Sequence, residues 1–139
     1  MTVLIIQLLI DFGLVILIWM IQRVVYPSFL HYSNKNLIVW HRKYTSSFSP
    51  IVIPLMFGQL GISIYQVVLS TNSYTVLNLL IITILWLSTF LQFLPIHSNI
   101  SKGKTSKKML KSLVAKNWLR TILWSLLFLM NYILLFHDK

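Results

Sequence analysis

The chain has no cysteine, so disulfides, thiolate metal sites and cysteine nucleophiles are excluded. Acids are nearly as scarce. Asp11 and Asp138 stand against twelve lysines and arginines, and the formal charge is +10. With only those two carboxylates, neither a carboxylate-bridged di-iron centre nor a two-aspartate protease site can be built. No H-x-x-H pair and no G-x-S-x-G elbow occurs either. What remains is overwhelmingly apolar. Of 139 residues, 57% are hydrophobic and 10% charged. A soluble domain of that size would leave much apolar surface in water, and lipid is the better solvent for it.

Four runs, Val3–Gln22, Ile51–Leu69, Thr75–Ile96 and Trp118–Phe136, are long enough to cross hydrocarbon, which takes roughly 20 helical residues. The expected fold is therefore all-α: a single integral membrane domain, 1–139, forming a four-helix bundle. The first run lacks a basic n-region and a small-residue cleavage site, and Asp11 interrupts it, so it reads as a permanent span.

Eleven of the twelve basic residues fall between spans one and two (Arg23, Lys35, Arg42, Lys43) or between and just inside spans three and four (Lys102, Lys104, Lys107, Lys108, Lys111, Lys116, Arg120). The link "STNSY" has none. The positive-inside rule makes both basic loops cytoplasmic and both termini external, in an inner (cytoplasmic) membrane. Charge placed between apolar blocks, with no recognition module beside it, speaks against nucleic acid as a partner. Membrane lipids are the expected surroundings, and a homo-oligomer stays open.

In the first basic loop, Ser33 or Asn34 can cap a short helix reaching about Phe48. Leu37, Trp40, His41 and Tyr44 follow its i, i+3, i+4, i+7 face. This predicts a separate amphipathic helix at the interface, with Pro50 opening span two.

Polar residues form stripes within the spans. Gln7, Asp11 and Gln22 share one face of span one, and Gln59, Ser63 and Gln66 one face of span two, beside Gly58 and Gly61, which permit close approach. Span three adds Ser88 and Gln92, and span four Asn117, Thr121, Trp124, Ser125 and Asn131. At about 1.5 Å per residue, Asp11 and Gln59 lie at matching depth. They read as a polar pair, either a clasp in which a neutral acid donates to Gln59 or a proton carrier. At the cytoplasmic end, Gln22, Arg23, Tyr26, His41, Gln92, His97, Asn99, Asn117 and Arg120 converge on a polar pocket opening inward. Pro95 frees a carbonyl near Ser88–Leu91 that needs a partner. His31 and His137 read as peripheral.

The stretches "WMIQRVVYPSF", "WHRKYTSSFSPIVIPLM", "WLSTFLQFLPIHSNI" and "KNWLRTILWS" resemble a group of small bacterial four-span proteins, distantly similar to the anthrone-oxygenase-like membrane family. The resemblance covers about two-fifths of the chain. It implies a four-helix membrane bundle with Gln22, Tyr26, Pro27, His41, Gln92, Pro95, His97, Asn117, Trp118 and Arg120 at motif positions. It also implies a lipophilic ligand, aromatic or quinone-like, oxidised without a flavin. The resemblance also implies an acid often found near the position of Gln59, and the amide here departs from that pattern, which weakens a shared acid–base reaction.

Several functions fit these residues. In a cofactor-independent, oxygenase-like reaction, His41 would act as general base. Arg120 and Asn117 would hold the oxyanion, with Gln92 and His97 orienting the substrate. The catalytic set is then His41, His97 and Arg120, with Gln22, Tyr26, Gln92, Asn117, Trp118 and Trp124 binding substrate. No cofactor is required, although His41 and His97 suit haem or a metal as axial ligands. A proton-coupled transporter using Asp11, similar to the small multidrug-resistance pattern, and a non-catalytic scaffold complete the set.

Overall fold

The computed structural model describes residues 1–137, and among them it holds helices and short connections with no strand. Asp138 and the side chain of His137 lie outside the described residues. Four long helices, α1 (Thr2–His31), α2 (Asn34–Leu69), α3 (Ser73–Ser101) and α4 (Lys107–His137), are each long and apolar enough to cross a membrane. Short connections make successive helices antiparallel, and they pack as a ring: α1 and α3 each touch both α2 and α4. The four-helix bundle expected from the sequence is the fold observed.

All four helices extend past their expected spans toward the end that carries the basic loops. The largest difference is in α2. The amphipathic stretch after Ser33 is not a separate interfacial helix but runs unbroken through Pro50 and Pro54 into the apolar part. Each proline removes one backbone hydrogen bond, which ordinarily kinks or ends a helix. Here the helix continues through both, and its first turns pack inward, with Leu37 and His41 buried. Trp40 does not share that face; it lies outside, stacked on Tyr32 at 6.1 Å.

Local chemistry sets the helix ends. The Ser33 hydroxyl accepts the Asn36 N–H, and Asn72 and Thr75 form a reciprocal capping box at the start of α3. Gly103 turns the chain after α3 with φ of 71°, a conformation that side chains with a Cβ disfavour. The two basic loops are tied by Thr105 Oγ1 donating to Asn34 Oδ1 at 2.6 Å.

Prolines also explain two wide turns. Ile21–Val25 in α1 and Thr89–Phe93 in α3 are π-helical, each just before a proline, Pro27 and Pro95. The Tyr26 N–H reaches back to the Ile21 carbonyl and the Leu94 N–H to the Thr89 carbonyl, five residues away instead of four. A proline ring clashes with the carbonyl four residues earlier, and a wide turn relieves the clash by inserting one residue. That insertion rotates everything beyond it. In α3, Ser88 is buried; Phe93 follows it on the inward face, and Gln92 does not.

The exterior is strongly apolar, and polar side chains share the interior with an apolar core. Leu9, Val24, Val68 and Leu91 are among the most exposed side chains, whereas Gln7, Asp11, Gln22, Gln59, Asn78, Asn117 and Asn131 are buried. Gly58 permits close packing, since a Cβ there would sit 3.2 Å from the Ile10 side chain. Gly61 faces open space and plays no such part.

Candidate functional site

Three polar layers cross the interior. The deepest begins at Asp11, whose two carboxylate oxygens accept from Gln59 Nε2 at 2.6 Å and from Asn131 Nδ2. Trp124 Nε1 donates to Gln59 Oε1 at 3.2 Å, and the Tyr74 hydroxyl donates to Asn131 Oδ1. An indole N–H can only donate, so it turns the Gln59 carbonyl toward Trp124 and the Gln59 amide toward Asp11. The expected Asp11–Gln59 pair forms, with Asp11 accepting, the reverse of the clasp in which a neutral acid would donate. The layer draws on all four helices.

The middle layer seals the α1–α4 seam. Gln22 Oε1 accepts from Asn117 Nδ2 at 2.9 Å, and Gln22 Nε2 donates to the Val114 carbonyl at 3.2 Å. Asn117 Oδ1 faces Arg120 Nη1 at 3.4 Å. Gln22 and Asn117 thus steady Arg120 from behind. Neither lines a cavity, a correction to their expected place on the substrate.

The third layer is a chain of groups that can each donate and accept. Ser101 Oγ lies 3.3 Å from His41 Nδ1, His41 Nε2 lies 2.7 Å from His97 Nδ1, and His97 Nε2 lies 3.0 Å from the Tyr26 hydroxyl. All four imidazole nitrogens are therefore engaged. At bond lengths of ~2.0 Å, two axial nitrogens of one haem sit ~4 Å apart and two ligands of one tetrahedral zinc ~3.3 Å apart, so either group would have to break this pair open. Among the described residues no group of three or more metal-ligating side chains occurs.

A cavity of about 450 Å³ lies beside these layers. Leu14, Ile18, Met56, Phe93 and Trp124 are among its buried walls, and Tyr26, His97 and Arg120 supply its polar end. Its rim is exposed only on α2 and α3, where Phe57 is 59% and Phe90 51% accessible. The opening is therefore on the flank of the bundle. The sequence predicted a mouth facing the basic end; the exposed rim instead lies along the stretch of α2 that carries Pro50 and Pro54 and along the wide turn of α3.

Arg120 is the most unusual group at the site. It is buried, its guanidinium lies 4.2 Å from the centre of the Phe93 ring and 5.1 Å from that of Trp124, and the Tyr26 hydroxyl is beside it. Its Nε has no partner among the described residues. Asp11, the only acid among them, is bonded to Gln59 and Asn131 instead.

Of the residues expected at the pocket, Tyr26, His97, Arg120 and Trp124 line it. His41 stands one hydrogen bond behind, so it does not meet a ligand directly. Gln92 is rotated off by the π-turn. Trp118 packs edge-on against Trp19 on the outside, 38% exposed. His31 is exposed, as expected. Sequence reasoning missed Tyr44, Met56 and Phe93 on the walls and Ser101 at the end of the hydrogen-bond chain. A partial signal for Phe93 was present in Pro95, whose ring clash the one-residue insertion relieves.

Fold and site together define an all-α bundle of four helices with a polar interior and a side-opening cavity. Set beside known proteins, the chain matches no protein-family model, no curated protein and no solved structure.

Proposed function

We propose that the protein is a multi-pass membrane protein whose cavity binds a lipophilic ring compound with an acidic hydroxyl, and that it ionises that hydroxyl. The observation that carries this reading is Arg120: a buried cation without a carboxylate partner, at the polar end of an otherwise apolar cavity. A charge in such a place is costly unless something of opposite sign joins it. An aromatic oxyanion satisfies Arg120, and its rings suit walls made by Phe93, Trp86 and Trp124. About 450 Å³ is within the usual range for a small-molecule pocket. A flank opening suits a ligand that arrives dissolved in lipid. The resemblance to the anthrone-oxygenase-like family supports the same class of ligand. An ionised, electron-rich ring can pass electrons to dioxygen without a flavin, which is the reaction that resemblance implies.

The binding reading is tested with a hydroxyanthraquinone dye and the protein in lipid nanodiscs. Trp86 and Trp124 line the cavity, so bound dye quenches their fluorescence. Quenching is expected to saturate, and Val52→Phe, which fills the cavity, is expected to weaken it at least tenfold. Unsaturable quenching, or equal affinity in the variant, overturns the reading.

The apolar exterior and the two basic loops support an inner-membrane orientation with those loops cytoplasmic and both termini outside. Because the chain has no cysteine, single cysteines report topology without background. On intact cells, a membrane-impermeant maleimide is expected to label Thr71→Cys and to spare Lys104→Cys. The opposite pattern reverses the orientation.

A further inference from the structure

We propose that Tyr26, His97, His41 and Ser101 form a proton relay joining the cavity to the surface at the basic end. The inference deepens the reading of the cavity as a site where a ring hydroxyl ionises, because it supplies the route by which that proton leaves. Tyr26 and His97 line the cavity, His41 is buried behind them, and Ser101 is exposed beside Lys102. The three links measure 3.0, 2.7 and 3.3 Å, within reach of hydrogen bonding at every step.

The chemistry of the members separates a relay from a simple clasp. Amides held in place, as in the other two layers, would satisfy the same positions but do not readily exchange protons. Every group in this chain gives up one proton as it takes another. A neutral imidazole carries its proton on one nitrogen and accepts at the other. The chain therefore has two self-consistent states. In one, Ser101 donates to His41, His41 Nε2–H to His97 Nδ1, and His97 Nε2–H to Tyr26. In the other, Tyr26 donates to His97 Nε2, His97 Nδ1–H to His41 Nε2, and His41 Nδ1–H to Ser101.

Starting from the second state, the ligand hydroxyl gives its proton to Tyr26 Oη as the Tyr26 proton passes to His97 Nε2. The His97 Nδ1 proton passes to His41 Nε2, and the His41 Nδ1 proton to Ser101 Oγ, which gives its own to water. One O–H bond breaks at the ligand and one forms on water. The chain is left in its first state, and the ligand oxyanion stays beside Arg120. Rotation of the hydroxyls and rings restores the second state. No step changes an oxidation level, and no member carries a net charge at the end.

Two measurements test this. The first needs no ligand: ¹⁵N-histidine-labelled protein in lipid bilayers, studied by solid-state NMR. A nitrogen–nitrogen coupling across the His41 Nε2–His97 Nδ1 hydrogen bond is expected, with both rings in the same tautomer. Absence of the coupling, or rings in opposite tautomers, overturns the relay. The second uses the hydroxyanthraquinone dye, whose colour reports its ionisation, in a stopped-flow pH jump. The rate is read only from the bound fraction, so changes in affinity do not enter it. His41→Phe, which keeps a ring but breaks the chain, is expected to slow proton exchange at least tenfold, and added imidazole to restore part of it. An unchanged rate overturns the relay. Failure of the dye to bind would instead overturn the reading of the cavity, and the NMR measurement decides the relay independently of it.

Discussion

Replacing Asp11 with leucine is expected to lower the stability of the bundle by about 2–4 kcal/mol, measured by thermal or SDS-titration unfolding in detergent. The size follows from what is left behind. Gln59 Nε2 and Asn131 Nδ2 both point at the carboxylate, and both are buried. A leucine leaves two buried donors without an acceptor, each costing on the order of 1–3 kcal/mol. Asp11→Asn should be far milder, about 1 kcal/mol or less, because the layer can re-polarise. The new amide would accept from Gln59 and donate to a flipped Asn131, whose own amide then donates to the Tyr74 hydroxyl. Gln59 itself cannot flip while Trp124 donates to it. A severe Asp11→Asn and a silent Asp11→Leu would together refute the clasp.

Arg120→Met is expected to move two properties in opposite directions. Removing a buried guanidinium that has no carboxylate partner relieves a desolvation cost. Against this stand its contacts with the Phe93 and Trp124 rings, each worth on the order of 1 kcal/mol. The net expectation is a gain of about 1–2 kcal/mol in stability. Affinity for an anionic ring ligand should fall at least tenfold, since methionine fills a similar space without charge. Unfolding in detergent reads the first and fluorescence quenching in nanodiscs the second. A variant less stable than the parent, with ligand affinity intact, would mean that Arg120 serves the fold and not the site. Arg120→Lys should lose affinity as well, because an ammonium group cannot stack between two rings and reach Asn117 with a planar fork.

Asp11 and Arg120 also mark what is legible in the sequence alone. A polar side chain within an apolar helix must face inward, so the stripes holding Asp11, Gln22, Gln59, Asn117, Thr121 and Asn131 were legible, and all are buried. The pairing of Asp11 with Gln59 followed from depth alone. The meeting of His41 with His97 was expected from convergence at one end. Direction was not legible. Whether Asp11 accepts or donates depends on Trp124, a residue 65 positions from Gln59, and its effect appears only once the helices are packed.

The pocket residues divide along the same line. Tyr26, His97, Arg120 and Trp124 were found, while Gln92 was misplaced by reading a regular helical period across the wide turn of α3, and Trp118, expected from the resemblance alone, lies on the outside of α4. Pro95 announces a disturbance, but not whether the chain will kink, stop or insert a residue.

The amino-acid sequence by itself determined the helical class, the number of helices and the polarity of their inward faces. Those follow from solvation and from 3.6-residue periodicity, which act within each segment. Only the tertiary structure decided that α2 runs unbroken past two prolines, that the cavity opens on the flank, and that two imidazoles join a tyrosine and a serine in one chain. Those outcomes depend on contacts between helices, where a shift of one residue changes which side chain meets its neighbour.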